Sequence, residues 1–224
     1  MKKIISAVLG LLLVASTASA AGLYVGGSLG VTLLSNSTLS DALGDYGTAS
    51  YDAGFLANGY VGYDFGFIRT EFELGYQFAS ISKFNLVPGV ILGPGGASSV
   101  LTVNNPDLNV GIFTGMANVW VDIKNRSRFI PYLGGGVGFA AVSWSNSCYN
   151  GCNYYEYDSD TVFAYQVGGG VAFKVTNNLD IDIGYRYFST ENLNLGLYTP
   201  GTYPPYSTKL SSNNVLVGAR FMFR

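Results

Sequence analysis

The charged residues of this chain are few and regularly spaced. In "RTEFELGYQF", Arg69, Glu71 and Glu73 take alternate positions, and Gly75 and Gln77 continue the series. Asp180, Asp182 and Arg186 repeat the pattern in "LDIDIGYRYF", while Asp122 and Arg220 sit among apolar neighbours. Carboxylates in an apolar setting are the raw material of acid–base catalysis, which also wants a base poised near neutral pH. The 224 residues include no histidine, so Ser–His–Asp catalysis is excluded. The glycine runs lack the Lys-Ser/Thr and helix start of a phosphate-cradling loop. No enzymatic activity and no cofactor are expected. What these groups can do is pair. Arg69, Glu71, Glu73, Asp122, Asp180, Asp182, Arg186 and Arg220 are expected to form an interior charge network. Such a network either satisfies itself, as enclosed charges must, or exchanges partners as a gate for water and ions.

A period of two requires strands with two unlike faces. Opposite Arg69, Glu71 and Glu73 stand Phe72, Leu74, Tyr76 and Phe78. Eight such segments can be drawn, at 22–33, 54–64, 67–79, 108–123, 129–144, 161–175, 179–189 and 213–223. Their connections alternate between short (64–66, 124–128, 176–178) and long (34–53, 80–107, 145–160, 190–212). An even strand count with that alternation predicts an all-β, eight-stranded antiparallel transmembrane β-barrel, with short periplasmic turns and four long extracellular loops. Hydrophobic residues make up 48% of the chain and charged residues 12%. That charge content is about half the usual share of a soluble domain. The net charge of −2 does not suggest nucleic acid. In lipid only a closed sheet pairs every backbone group. The charges must then face the lumen, and Phe72, Leu74 and Phe78 the lipid. Glycines 134, 136, 138, 168 and 170 share the polar faces and leave room for Tyr60, Trp120 and the arginines. Interfacial girdles are expected from Tyr63, Phe65 and Tyr132 near the short turns, and from Tyr185, Tyr187 and Phe188 near the long loops.

At the N-terminus, Lys2 and Lys3 precede an apolar run of about 13 residues, too short to span a bilayer comfortably, and the small residues Ala18 to Ala20. Residues 1–20 read as a secretory signal peptide and 21–224 as the barrel. In an exported loop, Cys148 and Cys152 are expected to form a disulfide. Two thiolates without histidine make a poor zinc site. The long loops are acidic, and "CNYYEYDSD" adds tyrosines of the kind that suit protein recognition. Lys124, Arg126 and Arg128 crowd one short turn, where anionic headgroups would attract them. The stretch from Val87 to Val103 is apolar for a loop; it either extends strands or folds over the barrel mouth.

"YVGGSLG" in the first strand, "GYDFG" at the first turn, "PYLGGGVGFA" after the second and "DIGYRYF" after the third resemble the small outer-membrane β-barrel family. That family includes opacity-type proteins, alphaproteobacterial surface antigens and the transmembrane part of outer-membrane protein A-like proteins. The resemblance implies a porin-family surface protein of a Gram-negative cell outer membrane. Its partners would be outer-membrane lipid and lipopolysaccharide, the barrel-assembly machinery and, through its loops, host-surface or matrix proteins. Family members usually end on an aromatic residue read by that machinery. Here Phe221 and Phe223 are the candidate assembly signal, although Arg224 follows. With no segment beyond the eighth strand, cell-wall anchoring is not expected. The function expected is non-enzymatic: membrane structure, with loops used for adhesion or host contact. The alternative is a low-conductance channel gated by the interior charges.

Overall fold

A strand with one lipid-facing side has to turn its polar side towards other strands, and closure of the sheet provides them. The computed structural model describes residues 22–41, 44–86, 101–106, 108–146, 158–195 and 206–223. Eight long strands build the barrel: β1 (Gly22–Leu34), β4 (Gly54–Asp64), β5 (Ile68–Leu86), β7 (Leu108–Asp122), β8 (Phe129–Asn146), β9 (Asp158–Lys174), β10 (Leu179–Thr190) and β13 (Ser211–Met222). Each pairs antiparallel with its neighbours, and β13 pairs with β1 to close the ring. The register can be followed round it. Gly22 pairs with Asp64, then come Arg69, Trp120, Gly134, Gly168, Arg186, Asn214 and finally Thr32. The ring therefore returns ten residues further along β1, from 22 to 32. With strand spacing and rise at their usual values, that stagger tilts the strands by about 40°.

The long connections are not simply polar loops. Among the described residues five short strands lie in them: β2 (Ser37–Asp41), β3 (Gly44–Tyr51), β6 (Leu101–Asn104), β11 (Leu193–Leu195) and β12 (Tyr206–Thr208). They form a second sheet in the order β11-β12-β2-β3-β5-β6, grown on the extended extracellular half of β5. Ser-, Thr- and Gly-rich stretches such as "STLSD" and "GDYGTASY" carry no apolar alternation, so periodicity does not reveal them. Pairing onto an existing strand edge organises them instead. Of the apolar stretch 87–103, residues 101–103 lie in β6, paired with β5; residues 87–100 lie outside the described residues, as do both cysteines.

Outward faces are apolar along the barrel, with Leu29, Val31, Phe72, Leu74, Val119, Val137, Val167, Ile183, Val215 and Val217 all exposed. Aromatic pairs mark the periplasmic end: Tyr63 with Phe65 at 4.7 Å, Phe129 with Phe173 at 5.0 Å and Phe221 with Phe223 at 5.5 Å. Two of the expected girdle residues are elsewhere. Tyr132 and Phe188 are 7% and 1% exposed and point into the barrel. Both belong to the even-numbered, inward series of their strands, and face overrides nearness to a strand end.

The glycines separate into two kinds. A Cβ at Gly134 or Gly138 would collide with the backbone of β7. A Cβ at Gly59, on the lipid face, would meet nothing within 4 Å. Gly138→Ala is expected to destabilise the barrel by about 1–3 kcal/mol. Gly59→Ala should leave it unchanged or slightly more stable. Urea unfolding of the two variants in vesicles checks this, and equal effects would contradict it.

Candidate functional site

The inward faces divide the lumen into two layers. The periplasmic layer is polar and closely paired. Arg69 lies on β5 with Glu71 and Glu73, and the register sets it opposite Trp120 on β7. Its Nε reaches both oxygens of Asp122 at 3.0 Å, and its Nη1 donates to Glu71 Oε1 at 2.9 Å. Glu71 also accepts from Tyr24 OH at 2.8 Å and from Trp120 Nε1 at 2.7 Å. Across the lumen, Arg186 Nη1 donates to Glu73 Oε2 at 2.5 Å. Gln166 Nε2 bridges Glu73 Oε1 and Asn118 Oδ1 at 3.1 and 2.8 Å. Arg220 Nε meets Asp180 Oδ2 at 3.0 Å. Asp182 accepts from a phenol instead, Tyr132 OH, at 2.7 Å. All eight charged side chains named from the sequence are at most 9% exposed.

The guanidinium planes are also covered by rings. Arg69 stands 5.2 Å from the centre of the Tyr132 ring, and Arg186 stands 5.0 Å from that of Trp120. Such stacking suits arginine, which is weakly hydrated and keeps its fork of donors free for carboxylates. Tyr24, Asn118 and Gln166 are not among the charged residues named from the sequence. The signal that finds them is parity, because each shares the inward series of its strand with a charge or glycine. Between these groups is a cavity of about 10 Å³, lined by Tyr60, Arg69, Glu71, Trp120, Tyr132 and Asp182, among others. That is room for about one water molecule.

Above this layer the lumen turns apolar. Ile81, Val110, Ile112, Met116, Val142 and Phe188 form one buried cluster with Leu193 and Leu210, which descend from the extracellular connections. At its border Thr32 and Ser212 both donate to Gln77 Oε1 at 3.1 Å. Tyr51 and Trp144 pack against the cluster with their rings 6.4 Å apart. The arrangement can hold charges in fixed pairs beneath an apolar plug.

Tyr51 lies in the extracellular sheet, hydrogen-bonded to Ser37 at 2.7 Å. Burial pushes its phenol up from 10 to about 12. The folded state thus holds this proton more tightly than the unfolded state. Stability from this group is complete below pH 10 and falls as the pH rises through 12. Relative to Tyr51→Phe, the parent should lose stability over that window, and parallel pH profiles for the two would contradict the assignment.

Phe221, near the end of β13, and Phe223, just after it, face outward with 47% and 52% exposure.

Closed strands, a lipid-facing apolar belt with aromatic ends and a polar interior define a bacterial outer-membrane barrel. The chain belongs to the outer membrane protein beta-barrel domain family, whose model matches residues 4–223. It is 28% identical to the outer membrane protein PagN of Salmonella typhimurium, over 93% of both chains. Curated proteins of Brucella suis and Brucella melitensis are 32% identical over 151 residues, 63% of this chain. The chain spans about half the length of those Brucella relatives, 51%. Among solved structures, Neisserial surface protein A shares the fold with a TM-score of 0.53 at 20% identity, covering 91% of this chain and 99% of that one.

Proposed function

We propose that this protein is a non-enzymatic surface scaffold: a barrel with a closed lumen that carries an extracellular sheet whose loops contact host-surface or matrix molecules. The observation that carries this reading is the filled interior. Paired charges occupy the periplasmic half, an apolar cluster occupies the other, and the cavity lined by the charges has room for about one water. Among the described residues little of the lumen is left to serve a solute, whereas five additional strands build structure outside the membrane. The barrel would occupy residues 21–224, after an export signal at 1–20. Its loops would be the adhesive part, and the disulfide expected between Cys148 and Cys152 would restrain one of them.

Replacing residues 147–157 with a short Gly-Ser linker tests the loops while β8 and β9 stay paired. Bacteria displaying the shortened protein should bind host cells or matrix several-fold less than those displaying the parent. Equal binding by protein shown to be at the surface would sink the adhesive part of the reading. The channel alternative rests on the same charges and requires a water path through the apolar layer.

A further inference from the structure

The periplasmic rim is chemically one-sided. In the turn joining β7 and β8, Lys124, Arg126 and Arg128 are all exposed. The residues between them lock the turn. Asn125 Oδ1 accepts from Ser127 N at 2.8 Å, and Asn125 Nδ2 donates to Phe129 O at 2.9 Å. Phe129 N donates to Ser127 Oγ at 3.0 Å, and Arg128 O accepts from Lys174 N at 3.0 Å, tying the turn to β9. Asn125 and Ser127 are spent on the backbone, which leaves the three cations facing out of a rigid loop. Among the described residues none of the three is in an ion pair.

The described acids at this end do not answer them. Asp64, Asp122 and Asp180 are 4%, 6% and 3% exposed. Asp64 accepts from Gly66 N, Asp122 is held by Arg69 and Asp180 by Arg220. Ile123 and Phe129 flank the cations on the lipid side, 51% and 57% exposed, and Phe67 on the neighbouring turn is 63% exposed. The apolar anchors fix the depth of the turn, so the three charges stand at the boundary where headgroups begin. The opposite rim is different in sign, with exposed Asp45, Asp52 and Glu191 beside Lys83 and Lys209.

We propose that the turn 123–129 binds the phosphate groups of anionic phospholipid in the periplasmic leaflet. Arginine matches phosphate with a fork of donors, and lysine adds a point charge. The inference needs the barrel in its membrane but not its adhesive role, so either can fail alone.

The test uses the mature protein refolded into nanodiscs of equal phosphatidylglycerol and phosphatidylcholine. Native mass spectrometry after transfer to mild detergent then counts the retained lipids. The parent should retain phosphatidylglycerol preferentially. At low salt the preference should fall about fivefold for each of Lys124→Gln, Arg126→Gln and Arg128→Gln, and should vanish in the triple variant. Added salt should weaken it in the parent. The double variant Lys83→Gln/Lys209→Gln, on the far rim, should match the parent. Heat-modifiable gel mobility shows that each variant is folded. Equal retention of both lipids by the parent, or a preference that survives in the triple variant, overturns the proposal. So does a triple variant that loses binding to isolated peptidoglycan or to an acidic periplasmic protein while its lipid retention equals the parent's.

Discussion

Arg69→Met is expected to destabilise the folded barrel by about 3–5 kcal/mol, the cost of leaving buried charge uncompensated. Arg69 is 2% exposed and is the cation shared by Glu71 and Asp122. Without it two carboxylates face each other in an enclosed space, and water has little room to enter. Glu71 would keep Tyr24 and Trp120 as donors, whereas Asp122 would lose the Arg69 guanidinium, its side-chain partner among the described residues. Arg69→Met/Asp122→Asn should therefore recover a good part of the loss, because the second change removes the orphaned charge. Arg126→Gln, on the exposed turn, should stay within about 0.5 kcal/mol of the parent. Urea unfolding in lipid vesicles, followed by gel mobility, measures all three. A loss under 1 kcal/mol for Arg69→Met would mean that water reaches the network freely, which contradicts a closed interior.

Phe188→Ala should cost a comparable amount, about 3–5 kcal/mol, because it opens a void in a packed apolar layer. The ring is 1% exposed and lies in the cluster with Ile112, Met116 and Val142. Phe72→Ala removes the same side chain from the lipid face, where the ring is 52% exposed. Lipid chains can fill the space left there, so its cost should be clearly smaller. The comparison separates a core from a girdle. If Phe72→Ala proved the worse of the two, the apolar plug would not be a stabilising core.

The contrast also shows how far the sequence is legible. Period-two alternation in stretches such as 67–79 and 179–189 reads the eight barrel strands and both of their faces, because lipid and lumen impose opposite chemistry on adjacent residues. The same parity places the eight named charges inside, on the faces where the structure holds them. What it cannot read is the distance between faces. That Asp122 meets Arg69, and that Asp182 takes Tyr132 rather than an arginine, follows from the ten-residue stagger of the closed ring. For Tyr132 and Phe188, nearness to a strand end suggests the girdle, but inward parity decides their place. The apolar upper layer is not legible either. Val110, Ile112 and Met116 continue the inward series of β7, but an apolar residue on either face looks the same in sequence. The second sheet is built from polar segments whose partner is an existing edge, and no local pattern reports that.

The central claim is that the lumen is closed, and single-channel recording of the refolded mature protein in a planar bilayer tests it most directly. No steady current is expected from protein shown by gel mobility to be folded, and none from Phe188→Ala provided that it too is folded. A stable, reproducible current from the parent, altered by Glu73→Gln or Arg186→Met, would contradict it and make the paired charges a gate.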